Sequence, residues 1–284
     1  MFADETAYPP VDFLAIGHMC HDLVEGGRVA GGAATYGAST AQALGCRAGV
    51  VTSAAPADNW GAAFPDLLIH QIDAPATTVF ENVYTPAGRV QTIHSVAGPL
   101  TAVDVPPPWT RAPIVQIGPI ANEVDPALIH LFSASVVGVC PQGWMRRWDD
   151  AGRVRQVAWE GAAEVLPLAA ATFVSQEDLP DAATLAHFRR LAPLLIVTAG
   201  PAGCTVYCRD EERSFPAPPV AQLDATGAGD VFAAAYLLRL FQTDGNIWEA
   251  AKFANRIAAA SVTRCGLPAK AAIIRRLIDG MTHK

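Results

Sequence analysis

Short apolar runs alternate with longer mixed segments along most of this chain. Val11 to Ile16 is apolar and ends at Gly17, which reads as a buried first strand; Arg47 to Ser53, Ile114 to Ile117, Ser135 to Val139, Ala171 to Val174 and Leu194 to Thr198 read the same way. Between them the spacing predicts helices over Ala33 to Leu44, Asn59 to His70, Pro126 to Phe132 and Asp181 to Leu191. Strand–helix alternation of this kind predicts right-handed βαβ units and a parallel sheet. The pattern changes at Thr77 to Thr85 and Val90 to Val96, two β-rich runs joined by Pro86-Ala87-Gly88-Arg89, which predict an inserted hairpin and a lid. The prolines at 106 to 108 mark the return to alternation, and Thr205 to Cys208 with Ser214 to Val220 predict a short antiparallel addition. A helix follows Asp230, a second spans Trp248 to Thr263, and an amphipathic tail ends the chain. No repeat or long linker divides it, so one domain over residues 1–284 is expected.

Composition narrows the function classes. Half of the 284 residues are hydrophobic and 17% are charged, enough apolar surface for a large core. The net charge of −7 argues against broad nucleic-acid or anionic-membrane binding. Three lysines (Lys252, Lys270 and Lys284) stand against seventeen arginines, and no G-x-x-x-x-G-K-S/T loop occurs. The lysine, histidine-arginine-aspartate and DFG elements of a protein kinase are missing too. Phosphate chemistry here is expected to follow a lysine-free route. The six cysteines form no C-x-x-C pair, the N-terminus lacks an apolar signal region, and no apolar run reaches membrane-spanning length. A soluble cytoplasmic protein is the expectation.

The candidate chemistry centres on Asp224-Ala225-Thr226-Gly227-Ala228-Gly229-Asp230 and the apolar helix that follows. A glycine turn opening a helix aims unpaired N–H groups at one spot, at the positive end of the helix dipole. The backbone of Gly227, Ala228 and Gly229 is therefore a candidate anion hole, and Asp230 a candidate base for an attacking hydroxyl. An ordinary strand-to-helix connection capped by Asp230 shares the pattern. A dinucleotide fingerprint does not, because Phe232 occupies the third glycine's place.

Other segments are open to two readings. Gly31-Gly32 opens a small-residue helix, either for close packing or for close approach of a substrate. His18, Cys20 and His21 invite a zinc reading, but no remote ligand pair completes it; Asp22 is the better candidate, for holding substrate hydroxyls. Trp144-Met145-Arg146-Arg147-Trp148 reads as a solvated loop rather than a nucleic-acid patch. Ser175-Gln176-Glu177-Asp178 is either an exposed loop or an outer-shell magnesium holder.

Together these residues resemble the ribokinase (PfkB-type) family of sugar and nucleoside kinases, from about Val11 to Pro268. Asp224 to Asp230 resembles the family's C-terminal signature, with Ala225 where threonine is commoner; the Gly31-Gly32 helix resembles the N-terminal one, with Tyr36 where asparagine is frequent. Ser175 and Asp178 fall at the family's N-x-x-E motif. Val197 to Gly203 resembles the turn lining the nucleotide, and the helix through Phe253, Ala254 and Asn255 resembles the one facing adenine. Gly32 to Tyr36 and the hairpin Phe80 to Tyr84 with Gly88-Arg89 look closest to the myo-inositol kinase branch.

The resemblance implies a three-layer α/β fold, a mostly parallel central sheet between helices, with a small β-sheet lid from roughly 17–31 and 77–103. It implies a kinase using ATP and Mg²⁺, with a monovalent cation as a further candidate, and a sugar, polyol or nucleoside acceptor. Asp230 would be the base beside Gly227, Ala228 and Gly229. Asp22, Gly31, Gly32, Tyr36 and Arg89 would hold the acceptor. Thr198, Gly200, Gly203, Thr226 and Asn255 would hold the nucleotide, Asp178 would serve the metal, and the lid would pair two subunits. A non-catalytic binding regulator on the same scaffold and a dehydrogenase are the competing classes.

Overall fold

The computed structural model describes residues 8–85 and 88–282, with only the backbone at 84, 85, 88, 89, 281 and 282. In chain order, β1 (Phe13–Ile16) leads into β2 (Cys20–Val24), β3 (Gly27–Gly31), α1 (Ala33–Ala43), β4 (Ala48–Ala54), α2 (Trp60–Ala63) and β5 (Leu68–Asp73). The hairpin β6 (Val79–Thr85) and β7 (Gly88–Ser95) follows, then β8 (Ile114–Ile117), β9 (Val136–Val139), and the short strands β10 (Arg146–Trp148) and β11 (Val154–Gln156). The rest comprises α3 (Ala162–Val165), β12 (Ala171–Ser175), α4 (Ala182–Leu191), β13 (Leu194–Thr198), β14 (Cys204–Cys208), β15 (Glu211–Phe215), α5 (Ala228–Gln242), α6 (Ile247–Ser261) and α7 (Leu267–Thr282).

The main sheet has nine strands in the order β15-β14-β13-β12-β9-β8-β1-β4-β5, parallel except where β14 and β15 add antiparallel strands at one edge. Alternation along each strand divides the core into two layers. Phe13, Ala15, Leu194 and Ile196 pack beneath α1, α5, α6 and α7, whereas Leu14, Ile16, Leu195 and Val197 face the opposite side with Phe188, Trp144 and Trp159. The three-layer arrangement expected from the sequence is therefore present. Successive connections run outward in both directions from β1, whose neighbours are β4 and β8. Crevices beyond the carboxyl ends of strands in such sheets are where ligands bind.

A second sheet, in the order β3-β2-β6-β7, pairs two hairpins through a parallel β2–β6 contact. His18 ties the three segments that carry it. Its Nε2 meets the Gly98 carbonyl at 2.8 Å and its Nδ1 meets the Thr78 hydroxyl at 2.7 Å. Glu123 staples the same junction, accepting from the N–H groups of His18, Ile120 and Ala121. His18 and His21 are thus hydrogen-bonded within the fold, His21 to Asp58, and among the described residues no cluster of three or more His, Cys, Asp or Glu could hold a metal ion.

Three sequence expectations change. The helix expected over 59–70 stops at Ala63, because Phe64-Pro65 breaks it, and Leu68–Asp73 pairs with β4 as the edge strand β5. The antiparallel addition ends at Phe215 rather than Val220, since Pro216, Pro218 and Pro219 cannot sustain a ladder. The segment read as a solvated loop is divided: Trp144 and Met145 are buried, Trp144 stacks on Trp159 at 4.4 Å and Arg146 is 4% exposed, whereas Arg147 and Trp148 are exposed as expected. Such a ring pair adds about 0.5–1.5 kcal/mol beyond the area it buries.

Candidate active site

A continuous cleft of about 1300 Å³ runs along the carboxyl ends of the main strands and beneath the small sheet. Gly227 to Asp230, Thr198, Ser175, Glu177 and Asp178 line it from the main body, and Asp22, Val29 and Asn82 from the small sheet. The sequence-predicted residues Tyr36, Gly200, Gly203, Thr226 and Asn255 also line it.

The signature turn is held from behind. Leu223 and Asp224 donate their N–H groups to the Val262 carbonyl at 2.8 and 3.1 Å. The Asp224 carboxylate accepts from Thr226 N–H (2.9 Å) and Gly266 N–H (3.2 Å). Burial works against its charge, yet Thr226, Gly266 and Lys270 hold the Asp224 carboxyl below the usual range. Gly227 then turns into the left-handed region at φ 73° and caps α5. A β-carbon there would stand 2.3 Å from the Tyr36 ring, so both conformation and packing require glycine. Gly229 differs: a β-carbon on it would meet nothing within 4 Å, because it faces the cleft.

One detail of the anticipated hole is corrected. The Ala228 N–H donates to the Ala225 carbonyl at 3.0 Å, closing the turn. The donors left at the open end of α5 are the N–H groups of Gly227, Gly229 and Asp230. A helix N-terminus of this kind favours an anion.

Asp230 is half-buried by surface but closely surrounded. Burial pushes its carboxyl up to about 7; the Arg146 guanidinium pulls it down and the Asp178 carboxylate pushes it further up. Arg146 was not among the sequence candidates. Its Nη1 donates to the Ile120 carbonyl (2.9 Å), its Nη2 donates to Gln142 Oε1 (2.9 Å), and Phe80 of β6 lies under its guanidinium. No motif singles it out, and its place depends on β10 folding back under the small sheet. Asp178 is nearly buried at the cleft wall, with Gln156 Nε2 3.4 Å from one carboxylate oxygen.

The acceptor-side candidates converge on the other wall. Gly31 has no side chain because Asp22 occupies the space: a β-carbon would fall 2.1 Å from Asp22 Oδ2. A β-carbon on Gly32, at φ +97°, would fall 2.3 Å from the His18 carbonyl oxygen. Asn82 donates to Asp22 Oδ1 (3.2 Å) and accepts from Gln91 Nε2 (2.9 Å), a relay the sequence reading missed because it needs the β6–β7 register that sets Asn82 opposite Gln91. Tyr36 lies among acids; burial first, then Asp224, Asp22 and Asp230, push its phenol above its ordinary value. The Arg89 side chain lies outside the described residues.

On the remaining wall, Thr198 ends β13 and Gly200 follows it at positive φ. Gly203 is required by packing, since a β-carbon would lie 2.0 Å from the Phe215 carbonyl. Asn255 edges the cleft, but its amide donates to the Phe215 carbonyl at 2.9 Å and approaches Cys204 Sγ, so its polar group braces α6 against the sheet. The wall beyond is formed by Pro218, Pro219, Val220, Ala258, Ala259 and Val262.

Comparison with known proteins agrees with this geometry. Residues 163–271 match the model of the pfkB family of carbohydrate kinases. Inositol 3-kinase of Oryza sativa subsp. japonica is 31% identical over 91% of this chain and 70% of that protein. A pyrophosphate-dependent kinase in the ribokinase family, solved with a pyrophosphate analog and myo-inositol, superposes with a TM-score of 0.79 at 22% identity, covering 92% of this chain and 98% of that one. A putative ribokinase II from E. coli, solved with ATP and Mg²⁺, gives 0.70 at 19% identity, covering 95% and 99%. No helix among the described residues is long and apolar enough to cross a membrane. With the signature turn and its carboxylate in this cleft, and with that relationship to inositol 3-kinase, the chain belongs to the pfkB family of carbohydrate kinases, phosphotransferases with an alcohol acceptor.

Proposed function

We propose that this protein transfers the γ-phosphoryl group of ATP to a hydroxyl of a polyol, with a myo-inositol-like ring as the favoured acceptor. The observation that carries the reading is Asp230, a carboxyl raised to about 7 beside the open N–H groups of Gly227 and Gly229. A base with this pKa is ionised for part of its population at neutral pH and still accepts a proton readily. The hole stabilises charge on the transferred group and the oxygens beside it. Most of the acceleration would come from alignment and preorganised dipoles.

The cleft's size favours a nucleotide donor. Small-ligand sites commonly measure about 300–1000 Å³, and this one is about 1300 Å³. Beyond the hole it continues along the apolar Val220, Ala259 and Val262 wall, room that pyrophosphate would not need. Mg²⁺ bound to the phosphates would supply charge neutralisation. Asp178 fits an outer-shell role, because its charge already raises Asp230 and a cation between the two acids would relieve that repulsion. Asp22, oriented by Asn82 and Gln91, would accept hydrogen bonds from the acceptor's hydroxyls, which a polyol offers in adjacent pairs. The inositol 3-kinase relationship supports that choice.

The small sheet would act as the lid, closing over Asp22 and excluding water from the phosphoryl group. Its paired residues Val83 and Val90 are about half exposed, and they are the positions through which two subunits would meet.

The test is turnover with Mg²⁺ and either ATP or pyrophosphate, against myo-inositol, ribose, fructose, adenosine and cytidine. ATP-dependent phosphorylation of myo-inositol supports the reading. A nucleoside turned over while myo-inositol is inert overturns the acceptor, and pyrophosphate outperforming ATP overturns the donor.

A further inference from the structure

Lys270 is one of three lysines in the chain, and its residue is 1% exposed. It sits in the first turn of α7, where its own N–H bonds the Gly266 carbonyl. Its ammonium points at the back of the signature turn. Nζ donates to the Asp224 carbonyl at 2.6 Å and to the Thr226 carbonyl at 3.1 Å, and lies 3.2 Å from Asp224 Oδ2. Burying an ammonium is costly unless it is paired and hydrogen-bonded. Here two main-chain carbonyls and one carboxylate meet that condition, so the site is a small oxygen-lined cage occupied by a side-chain cation.

The carbonyls it contacts are not arbitrary. Thr226 C=O belongs to the same peptide unit as Gly227 N–H, one of the donors at the open end of α5. A cation on that carbonyl draws electron density from the amide and strengthens the N–H as a donor on the other side. It also fixes the peptide plane, which determines where the donor points. A monovalent cation from solution has no room in a cage that an ammonium already fills.

We infer that Lys270 is a built-in cation behind the anion hole, a positioning residue that orients and polarises the Thr226–Gly227 peptide so that phosphoryl transfer proceeds without an added monovalent cation. This rests on the kinase reading above. It excludes the monovalent-cation requirement that the family resemblance raised as a candidate.

The test uses the full chain, wild type, Lys270→Met and Lys270→Ala, in buffer whose only other cations are Mg²⁺ and tetramethylammonium, titrated with K⁺ or NH₄⁺. The wild type should turn over with kcat changed by less than about 2-fold across the titration. Lys270→Met fills the cage without charge, so kcat should fall about 10-fold or more, acceptor KM should stay within about 3-fold, and added cations should not restore it. Lys270→Ala empties the cage, so kcat should recover at least several-fold with K⁺ or NH₄⁺. The same ions should raise the melting temperature of Lys270→Ala and leave that of the wild type unchanged, a readout independent of turnover. Wild type activated several-fold by K⁺, Lys270→Met as active as wild type, or Lys270→Ala unaffected by either ion in both turnover and melting would each overturn the inference. If Lys270→Ala does not fold, the wild-type titration and Lys270→Met decide it. Wild type inert with every donor and acceptor would instead defeat the kinase reading.

Discussion

The two walls of the cleft are built by different means. The wall proposed to hold the donor is backbone: Gly227 at φ 73°, N–H groups at the end of α5, and a carboxylate and an ammonium fixing the turn from behind. The wall proposed to hold the acceptor is a chain of side chains on the small sheet, Gln91 to Asn82 to Asp22. Main-chain dipoles presented at a helix start recognise any phosphate, whatever it is attached to. A relay of amides and a carboxylate recognises a particular arrangement of hydroxyls. On the proposed function, the chemistry would be carried by the wall that cannot vary without breaking the turn, and selectivity by the wall that can change one side chain at a time.

Substitutions on the two walls should separate in kind as well as in size. The largest effect falls on Asp230→Asn, with kcat lowered by about 100-fold or more and donor binding retained; near-normal turnover would remove Asp230 from the mechanism. The same variant should melt higher than wild type above pH 7. The folded carboxyl keeps its proton up to about 7 while the unfolded one has lost it, so wild-type stability falls as pH rises through that window. Asparagine escapes this, a gain of about 1 kcal/mol or more and a few degrees in calorimetry. Next comes Gly229→Ala, whose β-carbon enters open cleft space. Its helix should be no less stable, since alanine is the better helix former by about 1 kcal/mol, yet kcat/KM for the donor should drop about 10-fold. An unchanged donor constant would mean the phosphoryl group sits elsewhere.

On the other wall, Asp22→Asn should raise acceptor KM about 10-fold, the loss of a charged hydrogen-bond acceptor worth about 1.5 kcal/mol, with the donor constant unmoved. Gln91→Ala should do the same about 2- to 5-fold, acting only through Asn82. Equal effects on donor and acceptor constants in either variant would erase the distinction between the walls.

The same division explains what was legible in the sequence. The strand–helix alternation, the nine-strand sheet's parallel centre and the signature turn were readable because each is fixed by nearby residues: apolar runs, a glycine at positive φ, an apolar helix starting at once. Asp22 was legible as a carboxylate after the first strand, though the reason for Gly31 beside it was not. Arg146 was hidden because an aromatic-basic segment gives no sign that β10 folds beneath the small sheet. Lys270 was counted but not placed, since its cage joins residues 44 and 46 positions away in sequence. Asn255 carried a nucleotide expectation from its helix, while its amide faces a strand end. Residues 68–70 at the start of β5 fell inside the helix expected over 59–70, and pairing with β4 makes them strand.

The proposed function rests on Asp230, raised by burial beside the anion hole, taking the acceptor's proton. The pH dependence of kcat/KM, measured from pH 5.5 to 8.5 at subsaturating substrates, reports the free enzyme's essential base. The expected profile has an acid limb falling about tenfold per pH unit below a midpoint near 7, with no such limb in the residual activity of Asp230→Asn. A wild-type profile flat down to pH 5.5, or the same limb in the asparagine variant, would contradict it.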